Sequence, residues 1–193
     1  MNGPHRIFVA VALEPSLREK IADLERRLED AGVRLRWVKP ENLHFTLRFL
    51  GHISDAELNR VKRATHEAAE GVMSFSITLT GVGAFPNPRR PRVVWVGIDT
   101  GADSLQDLAA RLDDSLSRQR FPKEPRSFHP HLTLARVDEP GPMGHLGLTL
   151  GRFEGVEVGR QAIRSLIVME SILRPQGAIY TQVEEVPLLP YEK

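Results

Sequence analysis

The segments His44-Phe45-Thr46-Leu47 and His131-Leu132-Thr133-Leu134 repeat one pattern, His-x-Thr-Leu, 87 positions apart (131 − 44). Both lie in apolar runs of β-type composition. Side chains alternate between the faces of a strand, so His and Thr at i and i+2 share one face. Phe45 and Leu47, like Leu132 and Leu134, can then anchor a core while each His-Thr pair looks into a cleft. With 7 His, 8 Thr and 23 Leu in 193 residues, random order gives about 0.035 such tetrapeptides. One copy would read as a strand histidine satisfied by a neighbour; two copies with matched apolar partners point to shared chemistry.

That chemistry is acid–base work. Imidazole titrates at about pH 6.5, so of two histidines one can be neutral and act as base while the other is charged and acts as acid. The threonine hydroxyls can hydrogen-bond oxygens on which negative charge collects during attack. Neither motif contains a carboxylate, and Asp55, Glu57 and Asp138 are not spaced as a ligand set, so no metal and no cofactor is expected. Cysteine is absent, which excludes disulfides, Fe–S clusters and thiol nucleophiles.

The elements that must position these residues can be read along the chain. Residues 6–13 form a β-type run. Ser16 and Glu19 have the spacing of a capping box, and Leu17, Ile21, Leu24, Leu28 and Ala31 follow at helical spacing up to Gly32. A strand is expected over 33–38, stopped by Pro40, and the first motif strand over 43–50, ended by Gly51. Ser54 and Glu57 form a second box before Leu58, Val61, Ala64, Thr65 and Ala68. Phe75, Ile77 and Leu79 alternate with polar residues as in a half-buried strand. A Gly/Pro/Arg-rich loop is expected over 83–91, a strand over 92–98, a helix opening at Ser104, and a loop over 121–129 that leads into the second motif. Residues 138–151 carry no clear signal. Strands over 163–173 and 178–186, joined by a turn around Pro175-Gln176-Gly177, close the chain.

Runs of strands between single helices favour an α+β fold with mainly antiparallel sheets. The repeated motif suggests one domain over 1–193 built of two lobes, with pseudo-two-fold symmetry around a central cleft, each lobe contributing one His-x-Thr-Leu strand. A net charge of +1 does not suggest a general polyanion binder. Two local clusters stand out, Arg89, Arg90 and Arg92, and Arg118, Arg120, Lys123 and Arg126, of the kind that solvates a loop or footprints a phosphate. Arginine outnumbers lysine 21 to 5. The opening segment does not read as a signal peptide and no run of about 18 apolar residues occurs, so a cytoplasmic protein without a membrane span is expected.

Arg6-Ile7-Phe8-Val9-Ala10-Val11, the run from Trp37-Val38-Lys39-Pro40 through Phe49-Leu50-Gly51, Gly83-Ala84-Phe85-Pro86, Arg92-Val93-Val94-Trp95 and the second motif through Arg136 together resemble the 2H phosphoesterase superfamily. Within it they resemble the RNA 2′,3′-cyclic phosphodiesterases of the bacterial and archaeal 2′-5′ RNA ligase type, over nearly the whole chain. The resemblance implies the bilobal fold, with His44 as proton donor, His131 as proton acceptor, and Thr46, Thr133 and Arg136 on the substrate phosphate. It also implies an RNA partner ending in a 2′,3′-cyclic phosphate, tRNA fragments included, hydrolysis to a 2′-phosphate and reversible 2′-5′ ligation; a monomer is expected. Strict alternation places Arg136 opposite the His131 face, so its contact needs a strand end or a bulge. The same alternation places Arg48 on the His44 face, as a further phosphate ligand or a carboxylate-paired side chain. His129, two residues before His131, reads as structural, and Phe85, Trp95 and Phe128 as core or as base-stacking groups. The competing readings are a 2H enzyme for another small cyclic phosphate, such as ADP-ribose 1″,2″-cyclic phosphate, and an RNA- or nucleotide-binding module without catalysis.

Overall fold

A computed structural model describes residues 4–33, 35–137, 144–175 and 177–191. Its frame is two antiparallel sheets. Strands β1 (His5–Ala12), β3 (His44–Ile53), β8 (Ser165–Arg174) and β9 (Gly177–Pro187) form the first, in the order β3-β1-β8-β9. Strands β2 (Arg36–Trp37), β4 (Phe75–Phe85), β5 (Val93–Ile98), β6 (His131–Arg136) and β7 (Glu157–Ile163) form the second, in the order β2-β6-β5-β4-β7. Apart from the two-residue β2, both sheets follow one plan: a motif strand, then the strand that pairs with it, then two more. The expected α+β, mainly antiparallel architecture is what the chain adopts.

Among the described residues four α-helices cover the sheets: α1 (Pro15–Asp30), α2 (Asp55–Ala69), α3 (Ala102–Arg118) and α4 (Gly144–Gly151). Helix α2 packs on β1, β8 and β9, α3 on α2 and β3, α1 on β7 and α4 on β4. The apolar spacing read from the sequence is the buried face in each case: Leu17, Ile21, Leu24 and Leu28 on α1, and Leu105, Leu108, Leu112 and Leu116 on α3. Phe45, Leu47, Leu132 and Leu134 lie in one continuous core with these side chains. Among the described residues no helix is long and apolar enough to cross a membrane.

Several boundaries differ from the sequence expectation, each for a local reason. The Ser16 box does not form. Pro15 starts α1 two residues early, because its fixed φ suits the first helical position, and Glu14 becomes the cap without a side-chain bond. The Ser54 box forms in full, with Glu57 N–H on the Ser54 hydroxyl and the Glu57 carboxylate accepting from Ser54 N–H. The strand expected over 33–38 shrinks to Arg36–Trp37, Val33 turning into the core instead.

Gly51 does not end the motif strand; it sits inside β3 at φ 73°, where the ladder skips a residue between Ile7 and Phe8. Residues 83–85 are strand rather than loop, paired with β5. The Trp95 ring lies across Gly83, where a Cβ would collide with it. Helix α3 opens at Ala102, and β7 had no sequence signal, since Val158 and Gly159 are buried in succession and break the alternation. Part of the unassigned stretch is α4; residues 138–143, and Gln176 of the closing turn, lie outside the described residues.

Candidate active site

Each motif strand carries a bulge at the same place. On β3, His44 pairs with Ala12, Phe45 with Val11 and Thr46 with Ala10, but Arg48 is next, opposite Val9, leaving Leu47 without a partner. On β6, His131 pairs with Gly97, Leu132 with Val96 and Thr133 with Trp95, but Ala135 is next, opposite Val94, leaving Leu134 without a partner. An extra residue reverses the alternation beyond it. Leu134 and Ala135 are therefore both buried, and Arg136 comes out on the face of His131 and Thr133. The contact that strict alternation forbids is opened by this bulge.

The same device moves Arg48 the other way. Leu47 and Arg48 are both inward, and Arg48 is only 8% exposed. Its guanidinium meets the Glu124 carboxylate at 2.6 Å and the Asp113 carboxylate at 3.5 Å, and donates to the Pro122 carbonyl. Arg48 is thus the carboxylate-paired side chain, clasping β3 to α3 and to the loop before His131. The position equivalent to Arg136 in the first motif is Phe49, opposite Phe8 as Arg136 is opposite Val93.

The two imidazoles are held alike. Nδ1 of His44 lies 2.7 Å from the Asn42 carbonyl oxygen, and Nδ1 of His131 lies 2.6 Å from the His129 carbonyl oxygen, in each case two residues upstream. A carbonyl only accepts, so Nδ1 carries hydrogen in both rings and Nε2 is left to exchange a proton. Asn42 is itself placed by the one-turn 3-10 helix Pro40–Asn42 and by its amide donating to the Ala178 carbonyl on β9. In the neutral ring Nε2 of His44 accepts from the Thr46 hydroxyl at 2.9 Å. His129 serves through its backbone, as the structural reading expected.

Aromatic rings frame both histidines. Phe8 and Tyr180 lie 4.8 and 5.2 Å from the His44 ring, and Phe85 and Trp95 lie 5.1 and 6.4 Å from the His131 ring. Burial lowers both imidazoles below the usual histidine value; the carbonyl bonds act in the opposite sense, and the Arg136 charge lowers both further. Strands β3 and β6 lie against each other, and the Arg136 charge acts on both rings. A groove of about 1340 Å³ runs past them, lined by Thr46 and Phe49 from the first motif, His131 from the second, and Arg92, Arg126 and Phe128. Thr133 is half-buried on the His131 face. Among the described residues no three His, Asp or Glu side chains converge as metal ligands.

Phe8, Tyr180 and the two carbonyls were not found from the sequence. Phe8 had a signal, because Phe8, Ala10 and Ala12 share one face of β1 opposite the motif residues. Tyr180 arrives from β9, some 136 residues after His44 (180 − 44), and had none. His5, without a sequence role, bridges the Asp55 and Glu170 carboxylates at 2.7 and 2.8 Å, and His66 pairs with Glu184.

Known proteins resemble this chain in sequence and fold. The family model "LigT like Phosphoesterase" matches twice, at residues 11–95 and 96–180, once around each motif. A protein of Methanothermobacter thermautotrophicus named RNA 2′,3′-cyclic phosphodiesterase is 36% identical, the match covering 93% of this chain and 96% of that one. The crystal structure of TT0787 from Thermus thermophilus superposes with a TM-score of 0.80 at 29% identity, over 97% of this chain and 100% of the other. That of Escherichia coli LigT complexed with 3′-AMP superposes with a TM-score of 0.72 at 27% identity, over 96% and 98%.

Proposed function

The chain belongs to the LigT-like phosphoesterases, and from that premise we propose that it is an RNA 2′,3′-cyclic phosphodiesterase working by two-histidine acid–base catalysis. The observation that carries this reading is the matched anchoring of His44 and His131, each with Nδ1 on a backbone carbonyl and both within the field of Arg136.

In the forward reaction Nε2 of His131 takes a proton from water as the water oxygen attacks phosphorus. The bond between phosphorus and the ribose 3′ oxygen breaks, and Nε2–H of His44 protonates that oxygen. The products are a 2′-phosphomonoester and a 3′-hydroxyl. Thr46, Thr133 and Arg136 hold the non-bridging oxygens, where charge grows during attack. In the free site burial and Arg136 both favour the neutral imidazoles. The bound phosphodiester carries one negative charge, offsets Arg136 and lets His44 hold its proton. An RNA 5′-hydroxyl in place of water gives the 2′-5′ linkage by the same steps. All five side chains come from one chain, so a monomer suffices, with both lobes acting as one catalytic unit.

The test is an RNA oligonucleotide ending in a 2′,3′-cyclic phosphate, incubated in excess EDTA. The expected product carries a 2′-phosphate, with a rate unchanged by chelation. A rate lost on chelation and restored by Mn²⁺ or Mg²⁺, or a 3′-phosphate product, would overturn the mechanism. Turnover of ADP-ribose 1″,2″-cyclic phosphate in preference to RNA would move the substrate class.

A further inference from the structure

The groove extends well beyond what a reacting phosphate and its ribose need. At about 1340 Å³ it exceeds the ~300–1,000 Å³ typical of a small-molecule site. Its cations fall into two kinds. Arg48 is neutralised by Glu124 and Asp113, so it offers nothing to a ligand. Arg92 and Arg126 are exposed and line the same groove, and among the described residues their guanidinium groups have no hydrogen-bond or ion-pair partner.

The two arginines reach the groove from separate places, Arg92 from the residue just before β5 and Arg126 from the loop before β6. Aromatic side chains line the groove together with these cations. Phe49 is 47% exposed, with the Arg6 guanidinium 4.6 Å from its ring centroid, and Phe128 packs partly on the core while lining the groove. Unpaired guanidinium groups interleaved with rings are how proteins hold an unstacked single strand: the cations follow the backbone and the rings take bases of any sequence. A duplex would present few exposed base faces to such rings.

We infer that the groove is a track for the single-stranded RNA leading to the cyclic end, in which Arg92 and Arg126 take backbone phosphates upstream of the one that reacts. This rests on the proposed RNA substrate and adds a length requirement to it. The track rewards a second and a third nucleotide, which a mononucleotide cyclic phosphate cannot supply.

The experiment compares adenosine 2′,3′-cyclic phosphate with di-, tri- and hexanucleotides bearing the same end, on the full chain and on the R92A/R126A double variant. Both residues are exposed, so the fold tolerates the change. In the native protein kcat/KM rises by roughly tenfold or more for each upstream phosphate that an arginine engages. In the double variant the hexanucleotide-to-mononucleotide ratio collapses towards one. For the hexanucleotide the slope of log kcat/KM against log salt becomes shallower by about 0.7 per arginine–phosphate pair removed.

A native protein indifferent to length, or a ratio that survives the double substitution, overturns the track. Equal loss on mononucleotide and hexanucleotide overturns it too, by placing the arginines on the reacting phosphate. Fluorescence anisotropy with RNA ending in a 2′-phosphate, against adenosine 2′-phosphate as competitor, gives the same ratio without turnover. It therefore separates failure of the track from failure of the proposed catalysis.

Discussion

Leu47 and Leu134 hold the same position in their two sheets: each is the residue skipped by its partner strand, directly after the threonine of its motif. The residues directly beyond them change face. The two motifs therefore begin alike and end differently, in a buried Arg48 and an exposed Phe49 on one side, a buried Ala135 and an exposed Arg136 on the other.

Arg136 should help to shift the pH range, after burial. Burial lowers both imidazoles, the Arg136 charge adds to it in both and the His129 charge in His131, so in the free protein the base becomes available and the acid is lost below about pH 6.5. The kcat/KM bell should peak below that pH, its limbs belonging to the coupled pair. Arg136→Gln removes a positive charge, raises both histidines and shifts the bell upward, with a loss of about 10²–10³ in rate. A bell that stays in place or moves down would remove Arg136 from the site.

The two histidines should respond differently to the leaving group. Both alanine variants should lose about 10²–10⁴ on RNA cyclic phosphate. An aryl phosphodiester releases phenolate without a proton, so it should partly rescue His44→Ala and leave His131→Ala inactive. Rescue of the second variant alone would exchange the two roles.

Thr46 has a hydroxyl partner that Thr133 lacks among the described residues, the His44 ring. Thr46→Val and Thr133→Val keep the branched shape and should each cost about 10²–10³ in kcat. Only Thr46→Val should also displace the alkaline limb of the pH profile, by freeing Nε2 of His44. Near-native turnover in both would leave the hydroxyls without a catalytic part.

Away from the site, Glu25 on α1 has a carboxylate oxygen buried without a hydrogen-bond partner. Burial, then the Glu29 charge, pushes its carboxyl up from 4.5 to about 7. The folded state keeps a proton that the unfolded chain has released, so stability declines as pH rises through that interval. Glu25→Gln should gain on the order of 1–3 kcal/mol in urea unfolding at about pH 8 and nothing at about pH 4. An equal gain at both would assign the effect to packing.

What could be read from the sequence was local. The His-Thr pairs, the Ser54 cap and the apolar stripes of α1 and α3 depend on spacing within one element, and each stands where the spacing put it. The faces of Arg48 and Arg136 did not follow from spacing, because the bulges at Leu47 and Leu134 are properties of a strand pair. Tyr180 and the Asn42 and His129 carbonyls were hidden for a related reason: their roles arise only when distant segments meet, or in a backbone group with no side-chain signature. Strand β7 was lost to Gly159, which at φ 156° lets the chain pass close to Leu17 and Lys20.

The strand orders also bear on how the chain comes together as it is synthesised. Strands β4, β5 and β6 are all made by Arg136 and lie side by side, so the second-motif sheet can begin to consolidate then. The first motif is made earlier, but β1 and β3 alone are a two-stranded ribbon, marginal in water, until β8 emerges at Ser165 to flank β1. Closing that pair spans most of the chain and carries the slow step expected of long-range antiparallel contacts. His44 is thus translated first and ordered last: pulse-labelled amides of β4–β6 should be protected before those of β1 and β3.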